Sequence, residues 1–379
     1  PGWDENIMNI NCDVRPDVQG ILDLYERTMK PVKDELIDLI AELGAQKGWE
    51  EWVKKWSKLS VYDFLRSNIG DPKAIYRPWP EIAIKGFELG TYNPTLNQSL
   101  VEYLRDELGQ WWQKRLHTPV DGMETIAKHF IQPQLGVLNQ TIHLANNITF
   151  GTKVRSVRRN QEGKVEVTAN NTFSGNEMKF IGDAVILTVP LTILRQIDLD
   201  IGDTYRRAIS DIHYEPSTKV VMQCKSRFWE KDLGQGGFTR TNMPIGQLHY
   251  PSPNDPRPPN DRGILVSYTW DQDALIFGSQ SPENAINSAV NQVAKFHPEM
   301  KEEFEVGMVQ AWFSDETAQG AFVSLLPFQY IDGMKTLMTP DHPVYLAGEA
   351  ISYTNGWIQG AMESGLNAAY HLYSHSQRK

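Results

Sequence analysis

The segment Val344-Tyr345-Leu346-Ala347-Gly348-Glu349-Ala350, followed by Gly356-Trp357-Ile358-Gln359-Gly360-Ala361-Met362-Glu363-Ser364-Gly365, combines residue types able to hold an electron-rich ligand. An apolar strand ends in Gly-Glu, a short loop follows, and a helix opens with Gly-Trp-Ile. Gly348 and Gly356 let backbone approach a ligand closely, and the helix N-terminus offers unpaired N–H groups and partial positive charge. The same pattern also describes a strand–loop–helix packing unit whose glycines serve tight turns, and the local chemistry leaves both readings open. Upstream, Lys219 opens the β-type run Lys219-Val220-Val221-Met222-Gln223-Cys224, and Tyr268 sits in Gly263-Ile264-Leu265-Val266-Ser267-Tyr268-Thr269-Trp270. No G-x-x-x-x-G-K-[ST], H-E-x-x-H or G-x-S-x-G occurs, and the nine histidines are dispersed. Two cysteines, Cys12 and Cys224, exclude a disulfide scaffold and a Cys-rich metal site, so no metal ligands are assigned. Asp261, Asp271, Asp273 and Asp315 read as solvated carboxylates, any one of which is a candidate to meet a cationic substrate side chain.

In their order along the chain these segments resemble the flavin-dependent amine oxidase family, and within it the L-amino-acid oxidase branch. Gly348-Glu349…Gly356-Trp357-Ile358-x-Gly360-Ala361-x-Glu363-Ser364-Gly365 is similar to that family's most specific block. Thr218-Lys219-Val220…Phe228-Trp229 resembles its lysine-bearing strand, and Ala311-Trp312…Gly320 the strand holding a flavin-shielding Trp. Asp121-Gly122-Met123 and Val154 resemble the return into the cofactor domain. The resemblance covers nearly the whole chain. It implies an α/β (α+β) fold: an FAD-binding Rossmann-like domain, incomplete here, a mixed-sheet substrate domain and a helical domain. The implied divisions are 1–118, helical with part of the substrate domain; 119–200, return into the FAD-binding domain; 201–338, substrate-binding; and 339–379, the C-terminal FAD-binding segment.

The implied reaction is FAD-dependent oxidative deamination of an L-amino acid to a 2-oxo acid, ammonia and hydrogen peroxide. Lys219 matches the lysine that holds a water against flavin N5, where a fixed charge and an ordered water favour electron delivery to O₂. Tyr268 matches the tyrosine that donates its hydroxyl to the substrate carboxylate, which also needs a charge partner. Trp357, Phe322 and Gly356 match substrate-flanking positions. Val154, Trp312, Gly348, Glu349, Gly356, Trp357 and Ile358 match cofactor-binding ones, Trp312 packing against the isoalloxazine. Monoamine oxidases carry a covalent flavin on a cysteine at the position falling near Ala321; with no sulfur there, noncovalent FAD is expected. The same scaffold hosts amine oxidases and decarboxylating amino-acid monooxygenases, and a noncatalytic binding subunit that has lost its cofactor half is a reading from another class.

One departure bears on partners. No G-x-G-x-x-G follows a strand-like run, and Gly234-Gln235-Gly236-Gly237 reads as a hairpin turn. In the family the flavin fingerprint and the arginine that clamps the substrate carboxylate both lie N-terminal to everything matched here. The expectation is therefore a second polypeptide carrying both, a processed precursor or hetero-oligomer, and a dimer of such pairs. The start Pro1-Gly2-Trp3-Asp4-Glu5, lacking Met, agrees with cleavage from something longer.

The elements that must position these groups follow from composition and periodicity. The 379 residues carry 47 acidic and 37 basic side chains, a formal charge of −10, which argues against a nucleic-acid partner. Forty per cent hydrophobic residues suffice for a sizeable core, and no stretch approaches the ~18–20 apolar residues of a membrane span. Sequons at Asn97, Asn139, Asn147 and Asn170 permit secretion without deciding it. Ile21, Leu24, Tyr25, Thr28, Met29, Val32, Leu36, Ile37, Ile40 and Leu43 recur at helical spacing, with Gly44 as a stop. Further helices are expected over 49–56, 61–68 and 100–115, with Trp52, Trp56, Trp111 and Trp112 packed between them. Beyond Pro119 short β-type runs take over, over 142–144, 152–157, 165–169, 179–181 and 184–188, the last apolar enough to be buried on both faces. A second β-rich block covers 218–224, 246–250, 263–269 and 308–313, then come a helix over 284–296 and a final strand, turn and helix from 344 to 373; Pro251–Pro259 is a surface loop.

Overall fold

The computed structural model describes residues 18–91, 96–109, 119, 121–132, 134–135, 141–142, 144–233, 236–251 and 261–377. Cys12, Trp111, Trp112, Asn139, Gly234, Gln235 and all but the first residue of the Pro251–Pro259 loop lie outside these residues. The fold is mixed α/β.

The long helix Val18–Leu43 buries Tyr25, Met29, Val32 and Leu36, the inward stripe of its sequence, and ends at Gly44, whose φ of +84° needs no Cβ. Ala45–Trp56 returns against it. Trp52 and Trp56 are buried between the two as expected, each with its indole N–H satisfied, Trp52 by Val32 O at 2.8 Å and Trp56 by Glu35 Oε2 at 3.0 Å. Ser60 and Asp63 form a reciprocal capping box at the start of Val61–Arg66. Helices Glu81–Thr91 and Leu100–Gly109 complete this layer. The first of these falls within the stretch expected to be helical but is not singled out there, because Pro78-Trp79-Pro80 precedes only a short apolar pattern; burial of Ile84 and Phe87 supplies the helix's stability.

Strands Thr152–Arg159, Val165–Asn171 and Glu177–Gly182 form an antiparallel sheet joined by Asn/Gly turns, with Asp198–Leu199 added in parallel to the first. Of the run over 142–144, Ile142 belongs to the short strand Thr141–Ile142, paired antiparallel with Gln134–Leu135, Leu144 opens the 3₁₀ turn Leu144–Asn147, and His143 lies outside the described residues. Val185–Leu187 pairs in parallel with Val344–Leu346. Burial on both faces does not hold for its run, since Val189 is 37% exposed and Val185 and Ile186 are only half-buried. Among the described residues each strand of the pair has one ladder partner, and the helix Ile358–Ser376 covers one face through Ala368 and Leu372.

The antiparallel sheet of the second block has the order Phe238–Arg240, Gln247–His249, Gly263–Trp270, Ser217–Cys224, Phe304–Ala311. Alternation divides its faces. Val220, Met222, Cys224, Leu248 and Leu265 point to a core shared with Phe277 and with Ala285, Ala289 and Val293 of helix Pro282–Val293. The opposite face carries the polar residues. There the register aligns Arg240, Gln247, Tyr268, Lys219 and Gln310 in one row across all five strands. The last strand stops at Ala311, earlier than the expected Phe313. Trp312 is therefore not a strand residue; it opens the 3₁₀ turn Trp312–Ser314, and Gly320 N–H bonds its carbonyl at 3.1 Å.

Candidate functional site

Cross-strand pairing of Lys219 with Tyr268 places the lysine Nζ 4.6 Å from the centre of the phenol ring. Tyr268 meets Trp270 edge-on at 5.1 Å, and Trp270 meets Phe322 edge-on at 5.9 Å. Phe322 in turn backs Gly356, where an added side-chain carbon would lie 3.7 Å from its ring. A continuous wall thus runs from Lys219 on the sheet to the C-terminal loop, joining residues 137 positions apart in the chain (356 − 219). Burial lowers the Lys219 ammonium and raises the Tyr268 phenol, so the latter stays a donor at neutral pH. His249 lies 6.2 Å from the Tyr268 ring. Burial, then the nearby Lys219 and Arg240, push its imidazole below the ordinary range, and its Nε2 has no partner among the described residues.

The C-terminal loop is shaped by glycines and held by buried polar groups. Gly348, at φ +125°, ends the strand, and Ser364 of the last helix accepts its N–H at 2.9 Å and donates to its carbonyl at 2.7 Å. Glu349 accepts the Tyr214 hydroxyl and the Gly356 N–H, both at 2.7 Å, which closes the loop on itself; burial nonetheless holds its carboxyl above the usual range. Gly360 lets the helix approach the loop, since a Cβ there would lie 2.2 Å from Thr354 O.

Sequence reading missed the network beneath this loop. Asn355 donates to Glu102 Oε1 at 2.6 Å and to Val323 O at 2.7 Å, and Tyr330 donates to Glu102 Oε2 at 3.0 Å. Arg105 donates to Tyr353 O at 2.8 Å, to Asn355 O at 3.2 Å and to the Asn355 side chain. Asp106 accepts from the Trp357 indole. Burial raises the Glu102 carboxyl, with Arg105 the chief opposing influence. The one available clue was Glu102 and Arg105 at i, i+3 on the same helix as Leu100, Val101 and Leu104, charges where an apolar stripe should continue.

Of the residues matched by resemblance, Lys219, Tyr268, Phe322 and Gly356 belong to one wall, with Trp357 and Ile358 at the start of the last helix and Gly348 and Glu349 below them. Trp312 stands two residues beyond Gln310 of the polar row, on the turn rather than the strand. Val154 lies apart on the four-stranded sheet, at a register shift, packed against the helical core. Asp315 accepts the Thr317 hydroxyl and the Thr317 and Ala318 N–H groups within its own turn, which holds its carboxyl below the usual range. At Gly348 an added carbon would meet only Thr188 O, at 3.5 Å. Open backbone at the carboxyl ends of two parallel strands, beside a helix N-terminus, fits one side of a dinucleotide-type group.

Residues 21–372 match the family model described as flavin containing amine oxidoreductase. YobN of Bacillus subtilis (strain 168) is 30% identical over 283 residues, 73% of this chain and 56% of that protein. An L-amino-acid oxidase of Siganus canaliculatus is 29% identical over 59% of this chain and 43% of its own length, and one of Crotalus adamanteus 26% over 72% and 51%. The chain spans about half the length of the curated relatives it matches. A putrescine oxidase structure bound to putrescine superposes with a TM-score of 0.67 at 18% identity, covering 96% of this chain and 78% of that one. At that identity the likeness speaks for the fold.

Proposed function

The chain belongs to the flavin-containing amine oxidoreductase family, within its L-amino-acid oxidase branch, and we propose that it serves FAD-dependent oxidative deamination of an L-amino acid. Amino acid, O₂ and water would give a 2-oxo acid, ammonia and H₂O₂. The observation that carries this reading is the Lys219–Tyr268 pair on the polar sheet face, walled by Trp270 and Phe322 up to Gly356. Bound flavin supplies the two-electron chemistry. Gly348, Glu349, Trp357 and Ile358 would hold it from the C-terminal side, with Trp312 and Val154 as further contacts. The Tyr268 phenol, kept protonated by burial, donates to the substrate carboxylate. The Lys219 amine holds a water beside the reacting centre, and Phe322 and Trp357 keep bulk water out. Noncovalent attachment rests on the lack of a cysteine near Ala321; Cys224 is buried on the apolar face with its thiol pushed up to about 12 by burial.

The reading includes a complementary polypeptide segment with the G-x-G-x-x-G fingerprint and a carboxylate-binding arginine, on a second chain of a hetero-oligomer or joined to this one. Its support is the outer stripe of the last helix: Ile358, Met362, Leu366, Tyr370 and Tyr373 recur at helical spacing and are exposed, Leu366 by 73% and Tyr370 by 67%. The test separates the two half-reactions of the assembled flavoprotein by stopped flow. Lys219→Met should slow reoxidation by O₂ ~10²–10³-fold, the cost of one preorganised electrostatic contact, and slow anaerobic reduction less. Tyr268→Phe should instead weaken reduction at low substrate by ~1.5–3 kcal/mol, the worth of a hydrogen bond to a charge. Wild-type reoxidation in Lys219→Met, or unchanged amino-acid oxidation in Tyr268→Phe, overturns the assignment.

A further inference from the structure

Glu215 is 2% exposed and has no arginine or lysine within ion-pair distance among the described residues. Its Oε2 lies 3.3 Å from His213 Nε2, and its Oε1 is buried with no hydrogen-bond partner. The backbone there is fixed: strand Tyr214–Glu215 pairs antiparallel with Phe322–Val323, and Ala321 N–H bonds Glu215 O at 2.9 Å. Register places Glu215 directly opposite Phe322, on the same face, while its neighbour Tyr214 turns the other way to Glu349. The carboxylate therefore lies beside Phe322, whose ring meets Trp270 edge-on, and near enough to Tyr268 for its charge to add to the burial that raises that phenol. A carboxylate withdrawn from water with one oxygen unpaired is strongly disfavoured unless a cation or donor completes it. Of the other acidic candidates, Asp261 is exposed, Asp271 and Asp273 are half-buried in the first turn of the helix Asp271–Gly278, and Asp315 sits in its own turn.

We propose that Glu215 recognises the terminal cationic group, ammonium or guanidinium, of a basic L-amino-acid substrate. This rests on the amino-acid oxidase reading above and adds the substrate class. The methylene chain would run along Phe322 and Trp270, where a cation also gains from aromatic faces, and its charged end would complete Oε1. The Oε2–His213 contact remains in place.

The experiment uses the assembled flavoprotein with L-lysine and L-norleucine, nearly isosteric apart from the terminal ammonium. In the wild type kcat/KM should favour lysine by at least about 10-fold. Glu215→Gln should lower it for lysine ~10–100-fold, the range of a charge-assisted contact, while norleucine changes less than about 3-fold. Preserved norleucine turnover certifies folding and catalysis in the variant. Equal losses for both substrates would mean that Glu215 meets the α-ammonium, a cation of the complementary segment or only the fold, and would overturn the proposal, as would no wild-type preference for lysine. Calorimetric binding of the two amino acids to the wild type and variant gives a readout independent of turnover, with the wild-type comparison valid even where the variant does not fold. Tighter lysine binding with no oxidation of either compound sustains the cation site and sinks the oxidase reading; equal binding sinks the cation site alone.

Discussion

Replacing Arg105 with methionine keeps the aliphatic stem and removes the guanidinium that pins the loop ahead of Trp357. Three donated bonds are lost, to Tyr353 O, Asn355 O and the Asn355 side chain, and Glu102, 3.3 Å away and buried, loses its cation. Breaking a buried ion pair from one side costs about 3–5 kcal/mol. Part of that is recoverable by protonation, because burial already holds the Glu102 carboxyl above its usual range and Arg105 is the main influence lowering it. In Arg105→Met the folded-state pKa rises further above the unfolded value of ~4.3. The folded variant then binds a proton that the unfolded chain releases, so its stability is greatest at low pH and falls as pH rises through the folded value. Urea unfolding at pH 5 and pH 8 should give a deficit relative to wild type that widens at pH 8. Adding Glu102→Gln to Arg105→Met should restore part of it and flatten the pH dependence. A deficit under about 1 kcal/mol at pH 8, independent of pH, would refute the claim that this pair anchors the loop.

Gly360→Ala should destabilise by about 1–3 kcal/mol in the same unfolding assay, because its Cβ would lie 2.2 Å from the Thr354 carbonyl and 2.6 Å from Ser352 Oγ. Gly365→Ala on the same helix, with nothing within 4 Å of the new carbon, should be neutral or stabilise by up to ~1 kcal/mol through helix propensity. Acid or heat denaturation should release all flavin to the supernatant; flavin retained on the polypeptide would overturn noncovalent attachment.

Much of the local structure was legible in the sequence because its causes are local. The stripe from Ile21 to Leu43 and the left-handed stop at Gly44 set the first helix, and alternation along Lys219–Cys224 and Gly263–Trp270 set two strands and which residues share a face. Trp52 and Trp56 were readable as core for the same reason. The strand–loop–helix unit from Val344 was also explicit, with Ser364 and Gly360 already in helical register. What no local pattern carries is register between distant strands and the balance of buried charge. Pairing of residues 49 apart sets Lys219 over Tyr268 (268 − 219). The 3₁₀ turn at Trp312 depends on a bond from Gly320, and the half-open strand at Ala184–Val189 on how few partners flank it. Beyond the i, i+3 placement of Glu102 and Arg105, the sequence does not mark Glu102, Arg105 and Glu215 as buried, because desolvation is a property of everything packed around a group. Only the tertiary structure, by removing water from these three, turned one pair into a loop anchor and left one Glu215 oxygen without a hydrogen-bond partner among the described residues.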